Sequence, residues 1–568
     1  MFCIKNHGRR GLIHKLLTLL GLILLITSCG VKKSLKDQPK LEGFNKKIPE
    51  RVQINDSTFT VGKNQLRKNE HGLWELYVKG DPLERGLANG SLTRELLQKQ
   101  EGIFFSKVEE MVPSKFKQML LRKFLAWYNR KLYLNIVDEY KTEIYGVSRY
   151  AGDDYNYVAD DYMRSLYLHG AHDIGHALKD LALVGCSSFA VWDDKSADGG
   201  LLIGRNFDFY AGDEFAKQKI IAFVAPDTGY KYMSVTWGGM IGVVSGMNDQ
   251  GLTVTINAGK SDIPLVAKTP ISLLTREILQ YASTIEEAIA IAKKRKVFVS
   301  EAILVGSAKD HKEVTIEVSP NNFGVYEVAN TSQLLCSNHF QSEAYANDEN
   351  NIKQKAESHS QYRYERMEEL LTENDKINPE KAVSILRNTK GLNDKEIGYG
   401  NEKALNQLLA HHGIVFQPDQ LKVWISTNPY QLGEFVSYDL NTVFQKFDPP
   451  NVGSCKQNFK ETISEEQLNI PADDFIKTEA YKNYERYRQL RHELIAIIDA
   501  KGNASSELLK ELESANPEYW EVYELVGKYY YEKGYDAAAL IEFKKALTKE
   551  ITTVPDRVRI EKYIKKVN

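Results

Sequence analysis

The hydrophobic period of this chain changes from helical to two-residue at Gly185-Cys186, and that switch limits the folds open to it. From about residue 85 to 183, apolar residues return at spacings of three and four: Leu92 and Leu96, then Phe116, Leu120, Phe124, Trp127 and Tyr128. Beyond Cys186 the runs 219–225, 232–237, 241–247 and 252–257 are broken by Gly, Asp and Asn, the pattern of a strand meander. Two helices interrupt it. Thr269-Pro270 opens the first, and Thr284 with Glu287 caps the second. Strands return at 302–306, 313–318, 323–328 and 334–337, then at 421–426 and 433–436. Helices, strands, a helical pair and further strands predict an α+β chain, two antiparallel sheets sandwiched between helical layers.

The ends of the chain have a different character. Lys5, Arg9, Arg10 and Lys15 precede the apolar run 16–26, which meets Thr27-Ser28-Cys29. A basic start, a short apolar run and small residues before the cut predict a secretory signal over residues 1–28. The cysteine placed there resembles that of a bacterial lipoprotein signal. Cys29 is then the lipidated first residue, and the protein is held on the cell envelope, at an outer-membrane or periplasmic face, without spanning the bilayer. Residues 29–70 are polar and Lys-rich and read as a tether; 71–185 read as a helical pro-region or small subunit, and 186–455 as the catalytic unit. From about 465 to 568 the chain is charged helix. Tyr523, Val526, Gly527, Tyr530, Gly534, Ala539, Phe543 and Ala546 fall at the spacings of a tetratricopeptide repeat, an all-α extension that could hold a protein partner. The net charge of −2 offers no field for nucleic acid. With Cys3 removed and Cys29 lipidated, Cys186, Cys336 and Cys455 are too few for a disulfide framework.

Gly185-Cys186-Ser187-Ser188 heads a strand whose hairpin partner reads Gly204-Arg205-Asn206-Phe207-Asp208-Phe209. If the chain cuts itself at Gly185–Cys186, one residue carries both a thiol and a free α-amine, and the amine serves as base for the thiol. Gly185 lets the peptide before Cys186 bend into the strained geometry that attack on its carbonyl needs. Arg205 favours the thiolate by charge, and Asp208 is suited to hold the new ammonium. Positions 205 and 208 point to opposite faces of a regular strand, so a bulge near Asn206 is expected. His169, His172 and His176 share one helix face, but no His-Glu-x-x-His arrangement accompanies them; they read as partly exposed helix histidines, with no metal or organic cofactor implied. His411-His412 before Gly413 reads as a loop feature. Two other readings stay open on these residues: a decayed envelope scaffold binding partners through the helical extension, and a papain-like protease, which needs a downstream catalytic histidine.

The hairpin resembles that of the N-terminal nucleophile (Ntn) hydrolases, and in particular their penicillin acyltransferase-like branch, with choloylglycine hydrolases and acid ceramidase more distant. The shared pattern is Cys-x-Ser followed by Gly-Arg-Asn-x-Asp. Met247-Asn248-Asp249-Gln250-Gly251-Leu252 through Asn257 is similar to a strand whose closing asparagine helps form the oxyanion hole. Cys336-Ser337-Asn338-His339-Phe340 resembles a later turn, which implies an oxyanion or substrate role for Asn338. Ser360-x-x-Arg363-x-x-Arg366 is similar to an arginine-bearing helix start, with Arg363 the better candidate for the site. The resemblance covers roughly residues 75 to 440. The turn Asp193–Gly200 is longer than in the bile-salt enzymes, and the long segment before Cys186 suits the self-cleaving acyltransferase branch. It implies an αββα fold, a self-derived two-chain heterodimer, and hydrolysis or transfer at a non-peptide amide of an acyl-amide small molecule through a Cys186 thioester.

Overall fold

The computed structural model describes residues 29–170, 173, 184–261, 266–447 and 462–568. The signal segment, Cys3, His172, His176 and Cys455 lie outside them. The strands are β1 (Val52–Asn55), β2 (Thr58–Val61), β3 (Asn64–Lys68), β4 (Trp74–Gly80), β5 (Val184–Val191) and β6 (Leu202–Phe209). There follow β7 (Ile220–Pro226), β8 (Tyr232–Thr236), β9 (Ser245–Asn248), β10 (Leu252–Ala258), β11 (Glu301–Ser307) and β12 (Lys312–Val318). The last are β13 (Phe323–Tyr326), β14 (Gln333–Cys336), β15 (His412–Gln417), β16 (Lys422–Ser426) and β17 (Phe435–Asp439).

They form two sheets. An eleven-stranded sheet runs β1-β2-β3-β4-β7-β8-β9-β10-β11-β12-β13, and a six-stranded sheet runs β14-β5-β6-β15-β16-β17. Ala190, Ile203, Ile414 and Ile425 of the smaller sheet share one core with Ile221, Phe223, Met233 and Leu304 of the larger. The outer face of the large sheet is covered by helices Ile271–Tyr281 and Ile285–Lys294, through Leu274, Ile278 and Ala288 packed on Val254 and Ile303. The outer face of the small sheet is covered by helices Ser360–Glu373 and Pro379–Leu386, through Met367 and Val383 packed on Phe189 and Val415. Helix, sheet, sheet, helix is the layer order, because each sheet has two apolar faces to hide.

The stretch read as a tether departs from that reading. Residues 52–68 build β1, β2 and β3, and β4 carries them into the large sheet by pairing parallel with β7, from Trp74 opposite Ile220 to Gly80 opposite Pro226. All four residues of β1 are exposed, so an edge strand with no buried face leaves no apolar period to read. The segment 71–185 is likewise not helical throughout, since β4 precedes its helices Pro82–Leu92, Arg94–Met111, Lys115–Tyr128, Asp138–Ser148 and Asp161–His169. His169 is buried rather than partly exposed. Its Nδ1 donates to the Ser165 carbonyl (2.8 Å) and its Nε2 accepts from the Ile241 amide (3.0 Å).

Residues before and after Cys186 interlock through a buried ion cluster. Glu143 sits between Arg85 (2.8 Å) and Arg276 (2.7 Å), and the Arg276 guanidinium lies over the Tyr140 ring. Burial opposes its charge, but the two arginines win and hold the Glu143 carboxyl down at about 2. Asp173 caps the helix Ile271–Tyr281 from the same side, its carboxylate accepting from the Ile271 amide (2.7 Å). At the far end, helices Glu479–Asp499, Ser506–Ala515, Trp520–Glu532, Asp536–Leu547 and Val554–Val567 share a core that also takes in Leu408, Tyr430 and Leu432 of the sheet-bearing part.

Replacing Glu143 leaves the buried Arg276 guanidinium without its counter-charge and Arg85 with Glu139 alone (3.0 Å). Glu143→Leu is therefore expected to destabilise the protein by about 3–5 kcal/mol, measured as the shift in urea unfolding free energy against wild type.

Candidate active site

β5 and β6 pair in unbroken register from Val184 opposite Phe209 to Val191 opposite Leu202. The expected bulge near Asn206 is not there. Each residue of the hairpin therefore has a fixed side. Cys186, Ser188, Arg205 and Phe207 face the large sheet, while Gly185, Ser187, Asn206 and Asp208 face the outer helices. Arg205 and Asp208 stay on opposite faces, as the strand period requires, and the site is built through the sheet rather than on one side of it.

On the inner face the Arg205 guanidinium is stacked over Phe207 and points one N–H at Cys186 Sγ, 3.7 Å away. The rest of the head is gripped by the carbonyls of Val244 (3.0 Å) and Ile256 and by the Ser245 hydroxyl. Asn257, on β10, accepts from Ser188 Oγ (3.0 Å) and gives its amide hydrogens to the carbonyls of Cys336 (3.1 Å) and Ser337 (3.4 Å). On the outer face Arg363 donates to the Cys186 carbonyl (2.6 Å), to Ser187 Oγ (2.8 Å) and to Asn338 Oδ1 (2.5 Å). That same Oδ1 accepts the Cys186 amide (2.9 Å), so Asn338 and Arg363 clamp the backbone of the cysteine from both ends. Arg366 is turned away, to Glu369 and Asp394.

The other residues of the return strand have local reasons to be what they are. A Cβ on Gly204 would stand 2.6 Å from the Phe189 ring that crosses it. Asn206 donates to the carbonyls of Leu386 (2.8 Å) and Leu405 (2.9 Å), tying the hairpin to the outer layer. Gly185 is likewise forced: its Cβ would lie 2.4 Å from the amide nitrogen of Gln407.

Cys186 is 1% exposed, and burial pushes its thiol up; Arg205 pulls it back down, while Asp208 and Glu301 push it further up. The pull of Arg205 toward the thiolate is outweighed by burial. Asp208 is fully buried opposite Gly185, and neither of its carboxylate oxygens has a hydrogen-bond partner among the described residues. Burial raises it from 3.8 to about 7, against the lowering pull of Arg363 and Arg205. The Gln407 amide nitrogen beside Gly185 is buried and unpartnered as well. Buried polar atoms without partners are rare, and here they gather around the peptide that precedes Cys186.

Four participants escaped the sequence reading. Gln407 and Ser245 carry no local signal, because their partners lie far away in the chain. His411 and His412 were visible but read as a loop; instead both are buried, and His412 opens β15 opposite Phe207. Among the described residues no cluster of His, Cys, Asp and Glu could hold a metal ion.

Residues 194–428 match the family model described as acyl-coenzyme A:6-aminopenicillanic acid acyl-transferase. The match takes in Arg205, Asp208, Asn257, Asn338 and Arg363 and begins after β5, so Cys186 lies ahead of it. An uncharacterized protein of Archaeoglobus fulgidus is 27% identical over 277 residues, which are 45% of this chain and 45% of that protein. The chain thus spans under half the length of this curated relative. Among solved structures, the Caenorhabditis elegans ortholog of N-acylethanolamine-hydrolyzing acid amidase is 19% identical with a TM-score of 0.31, covering 41% of this chain and 93% of its own. A variant of the conjugated bile acid hydrolase from Clostridium perfringens is 14% identical with a TM-score of 0.30, covering 45% and 92%.

The Asp208 carboxyl binds its proton more tightly folded than unfolded, so its stabilising contribution is whole below pH 4 and is lost as pH rises through about 7. In a Cys186→Ala chain this is expected to lower stability across that window by on the order of 4 kcal/mol. Adding Asp208→Asn is expected to flatten it, as read by denaturant titrations at successive pH values.

Proposed function

We propose that the protein is a self-processing cysteine amidohydrolase or acyltransferase that uses Cys186 as an N-terminal nucleophile on N-acyl amides. The observation that carries this reading is the unpartnered, buried Asp208 carboxylate opposite Gly185, one residue from a thiol faced by Arg205. A bare carboxylate beside an intact peptide is costly; beside the ammonium created by scission it becomes half of an ion pair. The family match over 194–428 supports acyl-group chemistry on this scaffold.

In the first reaction Cys186 Sγ attacks the Gly185 carbonyl carbon, the peptide C–N bond breaks, and the thiol proton passes to the α-nitrogen. Water then hydrolyses the thioester, leaving a Gly185 carboxylate and a free Cys186 amine. Loss of the ladder pairs at 184 and 185 uncovers Asp208 and the sulfur together. In the second reaction Sγ attacks a substrate amide carbon. The α-amine takes the thiol proton and hands it to the leaving nitrogen, and water or an amine acceptor releases the acyl group. Asn257 donates to the oxyanion by giving up one of its two carbonyl contacts. Asn338 and Arg363 keep the cysteine backbone in place throughout.

The substrate in this reading is a fatty-acyl amide met at a membrane, with the chain anchored at a lipidated Cys29 on the cell envelope. Among the described residues no helix is long and apolar enough to cross a membrane. The C-terminal helices, in the same reading, are a repeat-like extension that seats on the catalytic unit and could present a face to a partner protein.

Intact mass and N-terminal sequencing of the purified protein decide the matter. Two pieces are expected, the second beginning at Cys186, with Cys186→Ala giving one uncut chain without amidase activity. Gly185→Ala, which drives a methyl group into Gln407, is expected to slow the cut markedly. A wild-type protein that stays whole while turning over acyl amides sinks the reading.

A further inference from the structure

Behind Arg205 runs a buried hydrogen-bond chain that the proposed reaction does not use. The guanidinium donates to Ser245 Oγ; Ser245 Oγ lies 2.9 Å from His412 Nε2; His412 Nδ1 lies 2.9 Å from His411 Nδ1. All four side chains are fully buried. A guanidinium can only donate, so Ser245 Oγ accepts from it, and among the described residues His412 Nε2 is the one other group that Oγ meets and the one that can accept its hydrogen. Nε2 is then an acceptor. The single proton of a neutral His412 sits on Nδ1 and is donated to His411 Nδ1, which places the His411 proton on Nε2. That Nε2 has no hydrogen-bond partner among the described residues, and its ring is packed among Phe215 (5.1 Å) and Trp237 (5.5 Å). Burial holds both imidazoles far below their ordinary range, with Lys219 and Arg205 reinforcing it, so the neutral forms this proton order needs are the ones present.

The other oxygens gripping Arg205 are carbonyls of Val244 and Ile256, fixed by the backbone. Of these oxygens only the Ser245 hydroxyl can rotate, and His412 is what stops it. On the reading that Cys186 is the nucleophile, we propose that His412, backed by His411, is a positioning residue. By taking the Ser245 hydrogen it keeps the serine oxygen turned to Arg205 and so fixes the guanidinium that faces Cys186 Sγ.

The test uses the full chain with His412→Gln, His412→Leu, Ser245→Ala and Cys186→Ala. Glutamine keeps an acceptor at the reach of Nε2, whereas leucine fills similar space without one. The readouts are the pH dependence of Cys186 alkylation by iodoacetamide, followed by peptide mass, and turnover of an N-acyl aminomethylcoumarin amide. His412→Leu and Ser245→Ala are expected to move the alkylation profile alkaline by about one pH unit and to lower turnover about tenfold or more. His412→Gln is expected to stay near wild type, a rescue that a merely space-filling histidine would not give. Profiles of His412→Leu that overlay wild type, or equal losses in the glutamine and leucine variants, overturn the proposal. If His412→Leu does not fold, Ser245→Ala decides: an unshifted profile overturns it and a shifted one upholds it. Turnover surviving in Cys186→Ala, or a wild-type Cys186 that never alkylates, sinks the nucleophile reading instead. An inactive Cys186→Ala alongside an unshifted Ser245→Ala sinks the positioning role alone.

Discussion

The uninterrupted ladder between β5 and β6 is the constraint on which the rest of the site depends. A two-residue period assigns every side chain of the hairpin to one face, and it cannot bring Arg205 and Asp208 together. The protein resolves this by working on both faces at once. The sulfur and its guanidinium lie between the sheets, while the carboxylate and the clamp of Asn338 and Arg363 lie under the outer helices. The backbone of Cys186 is the wall between them, its amide and carbonyl held from the outer side by Asn338 and Arg363 and its sulfur faced from the inner side by Arg205.

Each grip on the hairpin is itself held from further out. Gln407 abuts Gly185, and the next residue, Leu408, packs in the core of the C-terminal helices, its carbonyl accepting from Tyr484 (3.4 Å). Arg488 of the same helix pairs with Asp213 (2.6 Å), just beyond the end of β6. The helical extension is thus part of the support of the β5–β6 hairpin as well as an appendage to it. Buried polar groups that must be satisfied fix conformation more sharply than apolar contacts, which slide.

Much of this was legible in the residues. The strands after Cys186 show as short runs broken by Gly, Asp and Asn because the large sheet hides one face against the other sheet and the other against helices, and the helical pair near 270–294 announces itself by Pro270 at its start and the Thr284 cap of its second helix. The residues of Gly204 to Asp208 could be singled out because a glycine, an arginine, an asparagine and an aspartate in an apolar strand each need a special partner. What was hidden has physical causes. β1 is exposed, and β2 and β3 bury polar residues such as Thr58, Thr60, Asn64 and Gln65, so the stretch reads as tether. β15 begins with two histidines and a glycine, which break the apolar pattern where it starts. Ser245 and Gln407 act only across the fold, and single residues of common type give no local sign of that.

The seam between β4 and β7 has one further consequence. It lies in the middle of the large sheet, so the residues before Cys186 supply four strands on one side of it and the residues after supply seven. Made separately, each piece would offer a long unpaired edge, at β4 and at β7, to any strand it met, and such edges stick to one another. A gene that encoded the halves apart would trade folding for aggregation. Continuity of the polypeptide is the chaperone for this sheet, needed for assembly even if it is afterwards discarded.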